Sequence, residues 1–280
     1  MNLSAPLRVG MIRYLNCLPF HFELEKLAKE KGLSVSFLES HPADLNRAMA
    51  KGEIDLAPFS SIEYLTHQDD YLLLPDLAIG AGNFVRSVIL FSREPLASLN
   101  GATIALSEES FSSVILLRIL LKRRFGLDNI FVTVAQDPLR ALKDHKAALM
   151  IGDAALFFES DNWIYKYDLG EMWKAWTGAP FVFSLWAVRR VFATENPREV
   201  RTFCDLLKQN LERNLRDPEV LLRNALGVTP VEKRSARMLG YFENLRYGLD
   251  REMIEGLSRF YALAFEEKLA PEPRPLEFFR

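Results

Sequence analysis

Strand and helix signals alternate along the first two-thirds of this 280-residue chain, and the alternation starts twice. Leu7 to Ile12 reads as a buried strand. Phe20 to Lys31 reads as a helix, with Phe22, Leu24, Leu27 and Ala28 near helical spacing and Gly32 as its stop. Val35 to Glu39 is a second strand. Pro42 opens a helix carrying Leu45, Ala48 and Met49 on one face; in a first turn its missing N–H costs nothing. Ile54 to Phe59 and Leu72 to Ile79 are the next strands, with a short helix from Ser60 between them. The second block has strands at Ser87 to Ser92, Thr103 to Leu106, Ile130 to Val134, Ala148 to Ile151 and Phe181 to Val188. Its helices run from Ser110 to Phe125, apolar almost all round, and from Pro138 to Asp144. Alternation of this kind predicts a largely parallel sheet in each block, with helices on both faces.

From Asn196 onward the chain reads as helical. Val200, Phe203, Leu207 and Leu211 form one apolar stripe, and Met253, Leu257, Phe260 and Ala264 another. The end, APEPRPLEFFR, reads as extended. Two αβ blocks followed by helices predict an α/β protein of two lobes. Residues 1–86 and 189–280 make the first, discontinuous lobe, with the helical tail packed on it, and residues 87–188 the second. The chain is expected to cross outward at Arg86 to Phe91 and back at Phe183 to Val188. That is the layout of the two-lobed, type II periplasmic-binding-protein-like fold, whose ligand lies between the lobes.

Charge and motif content exclude several functions. Lys plus Arg is 35 and Asp plus Glu 37, so there is no basic excess and no nucleic-acid partner is expected. No stretch reaches the roughly 18 apolar residues of a membrane span, so no membrane partner is expected either. The longest candidate, from Val114 to Leu121, ends in Lys122, Arg123 and Arg124, a cationic run that suits a helix C-terminus. The start, MNLSAPLRVGMIRYL, has no long apolar run behind a basic region, so a cytoplasmic location is expected. Cys17 and Cys204 stand far apart and read as reduced thiols. No CxxC or HxxxH spacing occurs and the four histidines are scattered, so no metal site is expected. There is no GxGxxG after the first strand, no GxxxxGK[ST] and no GxSxG, so nucleotide cofactors lack their cradle and a hydrolase elbow is missing.

In open α/β sheets ligands bind beyond the carboxyl ends of strands, which singles out four junctions. Arg13 to Pro19 offers Asn16, both donor and acceptor. Ser60 and Ser61 start a helix, where hydroxyls and free N–H groups make an anion site. Ser107, Ser110, Ser112 and Ser113 surround the start of the apolar helix with the same logic. Gly152 and Asp153 follow another strand; Gly152 permits close backbone approach and Asp153 suits an N-cap. Arg86 and Ser87, at the crossover, add a charge-assisted donor. Each has a plainer use as well: turn satisfaction for Asn16, ordinary N-capping for the serines, a structural ion pair for Arg86. Two serine-rich helix starts on opposite lobes suit a ligand with two carboxylates.

Taken together, YLNCLPF (Tyr14 to Phe20), GEIDLAPFSSIEYL (Gly52 to Leu65), YLLLPDLAIG (Tyr71 to Gly80), VRSVILFS (Val85 to Ser92), IALSEESFSSVILLRILL (Ile104 to Leu121), LMIGDAAL (Leu149 to Leu156) and YDLGEMWKAWTGAPFVFSLWAVR (Tyr167 to Arg189) resemble the menaquinone-biosynthesis chorismate dehydratases of the futalosine route. Arg13 and Cys17 depart from that pattern. The resemblance implies loss of water from chorismate to give 3-[(1-carboxyvinyl)oxy]benzoate, with no cofactor and no metal, because aromatisation of the ring drives the reaction. It implies that Asn16, matched to the family's first junction, orients the leaving hydroxyl or the base. Asp153 and the substrate's own enolpyruvyl carboxylate both stand as proton acceptor. Two other functions fit the layout: a non-catalytic solute-binding protein for a small carboxylate, and the sister dihydroxynaphthoate synthase, in which a Cys-Pro-Asn run is expected in place of Tyr14-Leu15-Asn16. The sequence assigns no oligomeric state.

Overall fold

The computed structural model describes residues 6–159, 165–227 and 233–280; the expected start of the first lobe, residues 1–5, lies outside them. The strands are β1 (Leu7–Ile12), β2 (Val35–Ser40), β3 (Leu56–Ser60), β4 (Tyr71–Ala81), β5 (Val88–Ser92), β6 (Thr103–Ser107), β7 (Ile130–Val134), β8 (Ala147–Ile151), β9 (Tyr165–Asp168), β10 (Phe181–Arg189) and β11 (Leu245–Arg246). They form two sheets, ordered β11-β4-β10-β3-β1-β2 and β7-β6-β8-β5-β9. Burial explains the strand signals: every residue of β3, β5 and β8 is buried, and apolar runs covered on both faces read as strands without alternation. At Gly10 in β1, a Cβ would come within 2.8 Å of Ile54 and 2.9 Å of Ala57, so only glycine lets that neighbourhood close.

The sheets are mixed rather than largely parallel. β1 pairs in parallel with β2 and β3, and β6 with β7 and β8. β10 runs antiparallel to β3 and β4, and β5 antiparallel to β8 and β9. The short β11 also runs antiparallel, to β4. β10 and β5 are the strands the chain enters on arriving from the other lobe. Such a strand starts at the cleft and runs away from it, whereas β1, β3, β6 and β8 end there. The sequence puts Phe181 to Val188 in the second block, with the return crossing inside it. The hydrogen bonds of β10 place it in the first sheet, so the chain returns ahead of Phe181, after the helix Leu169–Thr177. The outward crossing likewise lies in residues 82–87, between β4 and β5.

Two helices differ in detail. The expected helix from Phe20 to Lys31 is two pieces, Leu18–His21 and Leu24–Glu30, broken where Glu23 takes φ 59°. The apolar helix starts at Ser112, and its last residues, Leu120–Arg124, wind as a π-helix. The tail packs on the first lobe: Asn210 donates to Phe20 O at 2.7 Å, Asn214 to Pro19 O at 2.9 Å, and Phe279 N to Leu73 O at 2.8 Å. Both predicted tail stripes are buried. The tail also reaches the second lobe, where Arg123 pairs with Glu266 at 2.8 Å and Glu267 at 3.0 Å. No helix among the described residues is long and apolar enough to cross a membrane.

Candidate active site

A cavity of about 600 Å³, its open mouth included, lies between the sheets where β1, β3 and β8 end and where β5 and β10 begin. Asn16, Ser60 and Ser87 line it, as do Ser110, Ser112, Ser113 and Gly152. The structure brings these seven expected residues together on one wall. Asn16 sits in the 3₁₀ turn Leu15–Cys17 that follows β1, held by Cys17 N on Tyr14 O at 2.9 Å. Its Oδ1 is buried and has no hydrogen-bond partner among the described residues, and the same is true of Ser60 Oγ. Ser60 is the N-cap of Ser61–Thr66, yet its side chain makes no capping bond, so plain N-capping does not account for it. A buried polar atom without a partner costs about 1–3 kcal/mol. Both atoms belong to residues on one cavity wall, which leaves them free to meet a polar group there.

Four other expected residues are elsewhere. Ser61 Oγ donates to Val182 O at 2.8 Å and lies 3.0 Å from Ser112 Oγ, which also accepts from Ile62 N. Ser61 therefore ties the lobes together instead of facing a ligand, and the Ser112 hydroxyl is spent on the same tie. Ser107 Oγ accepts from Glu109 N at 3.2 Å, closing a turn. Arg86 takes φ 61° and its exposed side chain runs toward Gly240, away from the cavity, because Asp168 holds its backbone N at 2.6 Å. Asp153 accepts from Leu15 N at 3.0 Å and lines a neighbouring pocket with Arg13 and His21, not this one. Adjacent residues of a turn point in different directions, which a run of serines does not reveal.

Tyr14, Glu109 and Ser184 line the cavity and were not singled out from the sequence. The Tyr14 hydroxyl donates to the Glu109 carboxylate across the cleft, and Gln136 donates to the same carboxylate at 2.9 Å. Burial first, then Glu109, holds the Tyr14 phenol far above its ordinary range. Gly152 makes this latch fit: a Cβ there would lie 2.9 Å from the Tyr14 ring, and its φ is 58°. Tyr14 and Glu109 both stand inside conspicuous motifs, but beside residues chosen for their hydroxyls. Ser184 had a signal, as the one polar residue within Phe181 to Val188, and donates to Phe59 O at 2.9 Å. Cys17 is fully buried on the same wall, and burial pushes its thiol up, so it stays protonated.

Among the described residues no Lys or Arg lines the cavity, and no group of three or more His, Cys, Asp or Glu could hold a metal ion. An anion here meets hydroxyls, the Asn16 amide and the starts of Ser61–Thr66, Ser112–Ile119 and Gly152–Phe157, with the Glu109 carboxylate on the same wall. No N-cap side chain bonds these starts, though Ser112 Oγ already takes Ile62 N at 3.0 Å in the first of them.

His21, on the short helix after Asn16, is pushed down to about 3 by burial. The unfolded chain takes up this proton near pH 6.5 and the folded protein does not, so stability is full above 6.5 and falls with pH below it. The expected slope is about half of 1.4 kcal/mol per pH unit at the unfolded value and approaches about 1.4 below roughly pH 5.5. Urea melts of wild type and His21→Asn check this: the variant loses that slope.

The chain matches a family model described as menaquinone biosynthesis over residues 7–266. It is 33% identical to the chorismate dehydratase of Thermus thermophilus over 95% of this chain and 99% of that protein. It is 29% identical to a 1,4-dihydroxy-6-naphtoate synthase of Streptomyces coelicolor over 56% of each chain. In fold it is similar to the alkanesulfonate-binding protein SsuA of Xanthomonas axonopodis pv. citri, at a TM-score of 0.64 and 19% identity, covering 96% of this chain and 95% of that one. The fold is periplasmic-binding-protein-like, and the family model over residues 7–266 together with the near-full-length relative at 33% identity places this chain in the menaquinone-biosynthesis family.

Proposed function

We propose that this protein is a cytoplasmic chorismate dehydratase, a carbon–oxygen lyase that forms 3-[(1-carboxyvinyl)oxy]benzoate and water. The observation that carries the reading is the pair of buried oxygens without a partner among the described residues, Asn16 Oδ1 and Ser60 Oγ, on a hydroxyl-rich cavity. The near-full-length likeness to the Thermus thermophilus enzyme supports the substrate.

The chemistry asks for such a wall. The proton leaves the ring carbon that bears the enolpyruvyl ether, and the resulting anion delocalises into the ring carboxylate. The hydroxyl on the neighbouring carbon takes up the abstracted proton from its acceptor and leaves as water, and the ring becomes aromatic. Donors fixed in a cleft stabilise charge as it develops on the ring carboxylate, and only interactions that strengthen in the transition state accelerate the step. Asn16 Oδ1 accepts the hydrogen of the departing hydroxyl and fixes its direction. The proton acceptor is the enolpyruvyl carboxylate of the substrate: Asp153 lies in the neighbouring pocket, and Glu109 already accepts from Tyr14 and Gln136.

Incubation with chorismate tests the reading. The expected result is loss of the diene absorbance with appearance of the aromatic ether. Folded protein that binds chorismate and leaves it unchanged would sink the enzyme reading and favour solute capture.

A further inference from the structure

We propose that Tyr241, on the tail helix Lys233–Asn244, is a positioning residue that makes Ser87 a hydrogen-bond donor toward a substrate carboxylate. This rests on the dehydratase reading of the cleft. The Tyr241 hydroxyl lies 2.7 Å from Ser87 Oγ, and both residues are buried, at 1% and 2% exposure. Ser87 lines the cavity and Tyr241 does not. Ser87 follows a crossing segment whose backbone is itself fixed: Val85 N at 3.1 Å and Arg86 N at 2.6 Å both donate to Asp168.

Two hydroxyls share one hydrogen bond, so one hydrogen is left over. If Ser87 donated, the phenol hydrogen would be stranded in a fully buried place where Tyr241 has no other partner among the described residues. A buried donor without an acceptor costs more than one hydrogen bond gains. If Tyr241 donates, its hydrogen is satisfied and the Ser87 hydrogen turns to the cavity. Burial holds the Tyr241 phenol well above its ordinary range, so it keeps that proton across the working pH range. Ser87 thus faces the cleft with its hydrogen free to donate and one of its two lone pairs occupied, which suits a carboxylate oxygen. The tail, in this arrangement, sets the polarity of a site residue more than 150 positions upstream.

A double-mutant cycle with chorismate turnover tests the role. Tyr241→Phe is expected to lower kcat/KM about fivefold, mostly through KM, the loss of roughly one hydrogen bond. In a Ser87→Ala background the same change is expected to do nothing further. Equal losses in both backgrounds, or a fall in kcat/KM that follows a fall in thermal stability, would show a merely structural tyrosine and overturn the proposal. Should Tyr241→Phe fold poorly, 3-fluorotyrosine at position 241, a stronger donor of the same shape, is expected to keep or raise kcat/KM; a loss there overturns it. Wild-type protein inert toward chorismate removes the cleft reading itself, whereas active wild type with additive losses removes only the role of Tyr241.

Discussion

Asn16→Ala is expected to cut chorismate turnover by roughly 10²–10³-fold, the loss seen when one preorganised polar group is removed from a reacting centre. The reason lies in how the turn is built. Its backbone is held by Cys17 N on Tyr14 O and by Leu15 N on Asp153, neither of which uses the Asn16 side chain. The Asn16 Oδ1 itself is buried with no partner among the described residues. Truncation therefore removes an unsatisfied polar atom and leaves the turn standing, so thermal stability should be equal to wild type or slightly higher. A collapse of kcat at undiminished stability separates this residue from a structural one. Turnover near wild type in the same assay would contradict the role given to it.

Asp168→Ala is expected to destabilise the fold by about 3–5 kcal/mol, because it combines a lost cap with buried N–H groups left unpaired. The carboxylate is 7% exposed and serves two elements at once. It caps the helix Leu169–Thr177 through Gly170 N at 2.9 Å and Glu171 N at 3.2 Å. It also takes Val85 N and Arg86 N from the outward crossing. Burial pushes its carboxyl up, and the four N–H donors pull it down. Arg86 sits at φ 61°, a conformation that costs a side-chain-bearing residue on the order of 1 kcal/mol and holds only while the surroundings impose it. Without the carboxylate the crossing relaxes, Ser87 loses its place in the cavity, and activity falls with stability. Denaturant melts give the first quantity and chorismate kinetics the second. A midpoint unchanged from wild type would mean that the crossing is held by something else.

The candidate site was legible in part. Asn16, Ser60, Ser110 and Gly152 were reachable because ligand sites gather at the ends of strands, and the strand signals were strong there. Tyr14 and Glu109 were in view yet unread, since their role depends on each other across 95 residues of chain. Arg86 lies off the cavity for a related reason: its charge is a property of the residue, but its backbone is fixed by Asp168, far along the chain.

What the sequence determined by itself is nine of the eleven described strands and the two-block order, because burial on both faces writes apolar runs, and caps and glycines end them locally; β9 and β11 are short and carry no such run. It also determined the neutral, hydroxyl-rich character of the strand ends. Only the tertiary structure decided that β10 returns to the first sheet and that the sheets are mixed. It alone decided that Ser61 and Ser112 join the lobes, and that a tail tyrosine backs Ser87. Strand direction and side-chain aim depend on where the chain re-enters and on partners distant in sequence, and no local pattern encodes either.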